Sequence, residues 1–224
     1  MPVRSASKRV APVAAMAFAM LPGTVIAGAA PMAFERAFPT TAAPAHFHAR
    51  IAYRGRDGVH RIELWRDGAT RLRRDTDARL ITVATRRQPR GADFRLDLLD
   101  RRRRLHTIID RTSLYQVGRF TDWNDLAFGM RRPAGRYRIT ALARVDTPVT
   151  AVAPCRWFAL ESEGRRTRIC WSDEQAFPLL MLDDHGRPVW RVTALDRAVP
   201  TPALFHPADT GYVRPDAAAD IAGD

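Results

Sequence analysis

The chain has 224 residues, a net charge of +12 and two cysteines. That length suits one domain with a sizeable core and excludes dependence on a dense disulfide framework. Lys8 is the only lysine, so arginine supplies nearly all of the positive field; a GC-rich coding bias accounts for this more simply than selection for bidentate anion recognition.

In chain order the first predicted element is an export signal. Arg4, Lys8 and Arg9 precede an apolar stretch from Val10 to Leu21 that runs on to Ala27-Gly28-Ala29. A positive start, a short apolar centre and small residues before the cut are what a signal peptidase reads. Cleavage near Ala29 and Ala30 would place the mature chain in the periplasm. Retention as an anchor is the alternative, disfavoured because Pro12 and Pro22-Gly23 interrupt a stretch that needs about 20 apolar residues to span a bilayer. No cysteine lies near the cut for lipidation. The expected organisation is a signal peptide over 1–29, a linker over 30–46, a β domain over 47–214 and a flexible acidic tail over 215–224.

The linker holds Pro31, Pro39 and Pro44 without sustained periodicity, although 34–38 suits a helical turn. Strands are predicted at 47–54, 59–66, 69–74, 80–85, 94–99 and 105–109, with a two-residue hairpin signal at Asp67-Gly68. Ile62 and Leu64 share a face, as do Phe94, Leu96 and Leu98. A helix is predicted over 121–131, capped by Thr121, with Asp122 and Asp125 in its first turn and Pro133 beyond its end. The run 136–145 alternates, placing Tyr137, Ile139, Ala141, Ala143 and Val145 on one side and mostly arginines on the other. One apolar and one wetted face is the antiparallel pattern. Further strands follow at 152–161, 165–171, 178–182 and 189–196, then closing pieces at 203–207 and 211–213. The expected fold class is mainly β (α+β): a strongly curved antiparallel sheet or incomplete β-barrel with one or two short helices.

Folding 155–170 into a hairpin about Ser162-Glu163 sets Cys155 opposite Cys170, within disulfide reach. An oxidising compartment favours the bridge; two buried free thiols are the alternative. No hydrolase elbow, phosphate loop, dinucleotide fingerprint or zinc-protease motif occurs in the sequence. A non-enzymatic protein with no cofactor is therefore expected, a hydrolase of unrecognised type being a remote alternative. His46 and His48, at i and i+2, share a strand face, but a closed metal site needs three or four ligands, so no metal is expected. Asp183-Asp184-His185 precedes Gly186 and reads as turn chemistry. Arg101 to Arg104 read as a solvated turn whose functional version is contact with an anionic membrane or lipopolysaccharide surface. Nucleic acid is not expected, given export and the lack of interleaved aromatics. Trp65, Trp157 and Trp190 are candidates to line an apolar ligand site.

Several elements together carry a family resemblance. They are Tyr53-Arg54 with Arg61-Ile62-Glu63-Leu64-Trp65 and Arg71-Leu72-Arg73, the pair Ile108-Ile109-Asp110 and Leu114-Tyr115-Gln116-Val117, Cys155-x-Trp157 with Cys170, and Leu204-Phe205-His206-Pro207 with Gly211-Tyr212. In this order the chain resembles the periplasmic half-barrel superfamily of the LolA and LolB lipoprotein carriers and the RseB sensor, and within it a set of uncharacterised exported members. The resemblance implies a curved antiparallel sheet over a small helix, with an inner apolar face that in the carriers shelters lipoprotein acyl chains. It implies a lipid, acyl chain, lipoprotein or other apolar ligand here, or, as in RseB, recognition of another envelope protein without a small ligand. The chain departs from LolB in lacking the lipidation cysteine, and no segment matches the receptor-contacting parts of LolA.

Overall fold

A computed structural model describes residues 32–91, 93–109 and 122–214. The expected signal peptide, the acidic tail and the Thr121 cap lie outside the described residues. The elements are α1 (Phe34–Ala37), β1 (His46–Arg54), β2 (Val59–Asp67), β3 (Arg71–Thr76), β4 (Leu80–Arg86), β5 (Phe94–Asp100), β6 (Leu105–Ile109), α2 (Trp123–Phe128), β7 (Tyr137–Leu142), β8 (Arg156–Ser162), β9 (Arg165–Ser172), β10 (Phe177–Leu182) and β11 (Pro188–Asp196), then a 3-10 turn (Pro202–Phe205).

The strands form one eleven-stranded sheet in the order β6-β5-β4-β3-β2-β1-β11-β10-β9-β8-β7. Every neighbouring pair is antiparallel. Two meanders, β1 to β6 and β7 to β11, thus meet where β1 pairs with β11. The sheet is curved and unclosed, and its curvature is evident from what touches what. Leu72, Ala84 and Leu96 from the first meander share a core cluster with Ile139, Phe158 and Ile169 from the second, although several strands separate them in the order. The face they share is therefore the inner one.

Local chemistry sets the turns. The β8–β9 hairpin closes through Glu163 and Gly164, with φ values of 52° and 72°, the left-handed pair of a tight hairpin turn. Glycine takes the second position without a Cβ penalty. The turn therefore lies one residue later than the Ser162-Glu163 position expected from sequence, so Trp157, not Cys155, opposes Cys170. Cys155 still reaches Cys170 from just before β8, at a Cα–Cα distance of 5.3 Å, and the two are bonded. Helix α2 is shorter than its sequence pattern. Asp122 caps it by accepting from the Asn124 N–H at 2.8 Å, and Gly129 at φ 66° ends it, as a left-handed C-terminal residue does.

Two segments expected to be simple connections or strands are packed differently. Phe34, Ala37 and Phe38, within the expected linker, are buried in the inner core. Burying a phenylalanine is worth roughly 1.5–3 kcal/mol, enough to order a helix of four residues. Strand β7 stops at Leu142 and β8 begins at Arg156; between them Val145, Val149, Ala151 and Ala153 pack with the cluster containing Cys170, Leu180 and Leu182. Both sheet edges also meet other parts of the chain. Val213 donates to Arg104 O at 2.8 Å and accepts from His106 N at 2.9 Å beside β6, while Met32 N donates to Ile139 O at 3.4 Å beside β7.

Candidate functional site

The inner face is the candidate site. Its floor is Phe47, Ala49, Ile51, Ile62, Leu64, Leu72, Ala84 and Leu96, all buried, and strand alternation puts them on one side. Over it lie Phe34 and Phe38 of the α1 turn and Trp123, Leu126 and Phe128 of α2. Their rings interlock: Phe38 meets Phe158 and Trp171, each at 5.3 Å between centroids, and Trp123 meets Phe94 at 5.6 Å. Gly129 lets the chain pass close to Trp190 and Phe177, where an added Cβ would sit 3.2 and 3.3 Å from their ring atoms.

One cation lies within this apolar layer. Arg66 is 1% exposed, and its guanidinium sits 4.7 Å from the Phe47 ring centroid and 4.6 Å from that of Phe128. It donates to Ala127 O at 3.0 Å and Gln175 O at 3.2 Å. The first acceptor belongs to the last turn of α2, where carbonyls carry partial negative charge. The second lies between β9 and β10, so one side chain ties helix, first meander and second meander together. Burial lowers its pKa to about 10, which leaves it cationic at neutral pH. Towards the rim, burial raises the Asp125 carboxyl while Arg74 opposes the shift. Burial also raises the Tyr53 phenol, again against Arg74. Beyond it a groove of about 980 Å³ is lined by Arg131, Arg165, Arg166, Asp183 and Asp184 among others, a polar surface unlike the apolar floor. These groups can bind and orient; none forms a nucleophile and base within bonding distance.

The three tryptophans singled out from sequence do not converge on this floor. Trp65 stacks on His48 at 5.0 Å with 5° between planes and packs with Ile81, Val83, Leu99 and Phe205 on the outer face. Trp157 opposes the disulfide cysteine Cys170, also outside. Trp190 alone belongs to the inner side, where its indole N–H donates to Pro178 O at 2.9 Å. His46 and His48 also go to different partners, Asp67 at 3.1 Å for the first and Glu63 and Asp196 for the second. No cluster able to hold a metal occurs among the described residues. Asp183 accepts from His185 N and Arg187 N, holding the β10–β11 turn. Arg101 to Arg104 are exposed in the β5–β6 turn.

Sequence reasoning missed His106 on the outer face. His106, 2% exposed, lies between Asp209 at 2.7 Å and Asp97 at 2.9 Å. Burial acts to raise Asp97, but hydrogen bonds from Arg95 and His106 outweigh it and hold the carboxyl low. Arg214 and His106 lower Asp209 in the same way. This network fastens the C-terminal segment, whose Phe205, Leu204 and Tyr212 cover Ile81, Val83 and Leu99. His48 and His60 are likewise each held between two carboxylates, Asp196 with Glu63 and Asp77 with Asp57. The partners are 9 and 103 residues from His106, so no local spacing signals them.

No family model matches the chain, and no curated protein matches it. Among solved structures it is similar to an uncharacterised conserved protein from Thermus thermophilus, with a TM-score of 0.50 and 13% identity, over 79% of this chain and 94% of that one. The likeness is one of fold. A second similar structure is MucB, with a TM-score of 0.39 and 14% identity, over 73% of this chain and 57% of MucB. The curved, unclosed antiparallel sheet, with two short helices among the described residues, is the architecture that the resemblance to the periplasmic half-barrels implies.

Proposed function

We propose that the protein is an exported, non-catalytic binding protein of the cell envelope, whose inner face holds an acyl chain or similar apolar ligand. The observation that carries this is the cover on that face. Among the described residues, an apolar floor spanning both meanders is covered by helices of four and six residues, too short to be stable without packing. An apolar chain would compete with Phe34, Phe38, Trp123 and Phe128 for the same surface. The disulfide fits a periplasmic home, and the arginine-rich exterior suits contact with an anionic membrane.

Native mass spectrometry of protein purified gently from its own envelope is expected to retain a co-purifying lipid. A fluorescent fatty acid should bind in vitro, and Phe34→Ala with Phe38→Ala, which shrinks the cover, should tighten that binding several-fold. A clean ligand-free mass together with no fluorescence change overturns the proposal. A second reading, an envelope interaction or sensor protein without a small ligand, draws support from the inner face being filled by the chain's own side chains. A pull-down yielding one membrane partner and no lipid would favour it.

A further inference from the structure

We infer that β7, which receives one backbone bond from Met32 and is otherwise open among the described residues, is an acceptor edge that pairs with an extended, acidic segment of a partner protein. Strand β7 ends the sheet order, with β8 as its one neighbour among the described strands. In an antiparallel ladder, backbone groups point alternately towards the neighbour and away from it. The Ile139 carbonyl faces away from β8, because it accepts from Met32 N at 3.4 Å. The same alternation turns the backbone groups of Tyr137 and Ala141 outward, and no bond from another segment reaches them among the described residues. The opposite edge is held by more: beside β6, Val213 makes two backbone bonds, in a short parallel bridge.

Charge selects the occupant. Arg136 and Arg138, two residues apart, share a face; both are exposed and neither makes an ion pair among the described residues. Glu161, which lies opposite Arg138 in the register, pairs instead with Arg166 at 3.7 Å. Arg144, just beyond the strand, has among the described residues a single distant ion contact, 3.9 Å from the fully exposed Asp146. An open groove of about 930 Å³ runs past Gly135 to Arg138 and Glu161 to Arg166. A strand added here would put alternate residues against Arg136 and Arg138 and the intervening ones beside Tyr137, Ile139 and Ala141. Its expected pattern is therefore acidic residues alternating with apolar ones. A second copy of β7 fits poorly, because it would bring like-charged arginines together across the pair. Main-chain bonds supply affinity in such strand addition, and alternate side chains supply selectivity.

The probe is a labelled peptide of alternating glutamate and valine, compared with its lysine–valine counterpart by fluorescence polarisation on the full mature chain. The acidic peptide is expected to bind saturably and the basic one at least tenfold more weakly. Ala141→Pro removes an outward N–H at an exposed edge position where proline is tolerated, and should weaken binding at least tenfold with the melting temperature kept. Arg136→Glu with Arg138→Glu should reverse the preference between peptides, a readout that stands even if the proline variant folds poorly. Absence of saturable binding, equal binding of both peptides, no effect of Ala141→Pro in folded protein, or a dimer in sedimentation that this substitution abolishes would each overturn the inference.

Discussion

The inner and outer faces of this sheet are covered by different chemistry. Inside, residues from both meanders and both short helices form a single aromatic layer, held in place by Arg66. Outside, two separate segments lie on the strands, one bonded through Cys155–Cys170 and the other fastened at His106. Between them the outer surface of β1 and β2 stays polar, carrying His48, Arg50, Arg61 and Glu63. The difference teaches that inner contacts hold the whole sheet in shape, whereas each outer cover depends on its own fastening.

Truncation inside should therefore cost the most and act globally. Trp171 is 1% exposed, and Trp171→Ala is expected to cost about 3–5 kcal/mol, read as a shift of the entire urea transition. A local loss confined to β9 would break the comparison. Reducing the disulfide should cost about 3 kcal/mol for a loop of this size in the chain-entropy model; melting with and without reductant measures it, and hydrogen exchange should place the new mobility in 143–155. Asp209→Asn removes one carboxylate from the His106 ring. Amide protection over 202–213 is expected to fall about tenfold, as for loss of one charge-assisted hydrogen bond, with the inner strands unchanged.

The smallest effect should come from His60, and its sign follows from the shifts. Hydrogen bonds that His60 donates to Asp77 and then Asp57 raise its pKa, so the stabilisation is full below its unfolded value of about 6.5 and disappears as pH rises through the folded one. The His60 bond lowers Asp57, and the Arg61 N–H with His60 lowers Asp77. Their contribution is present above about pH 3.8 and is lost as pH falls through the depressed values. His60→Gln should hence differ most from the native protein between those limits. An NMR titration of His60 with a midpoint at or below its ordinary value would contradict this.

Much of the architecture was legible in the sequence because strands and turns are local. Alternation put Ile62 with Leu64 and Phe94 with Leu96 on shared faces, as the sheet does, and the β8–β9 turn lies one residue from the expected Ser162-Glu163. The remainder depended on distant partners. Nothing near Phe34 says that it meets Tyr137 of β7, nothing near Phe38 that it lies on Phe158 of β8 and Trp171 of β9, and nothing near His106 announces Asp209. Trp65, Trp157 and Trp190 look alike in sequence, yet each strand's register decides which face receives its ring.

The junction of β1 with β11 carries a consequence for biogenesis. Residues His48 and Asp196 stand side by side there, while every other neighbouring strand pair joins consecutive elements. Each ribbon of strands can assemble from nearby sequence, but this seam must wait for the last strand and bears the loop-closure cost of nearly the whole domain. Until then the chain emerges with β1 uncovered, so the interval before zippering is when it most needs protection from self-association.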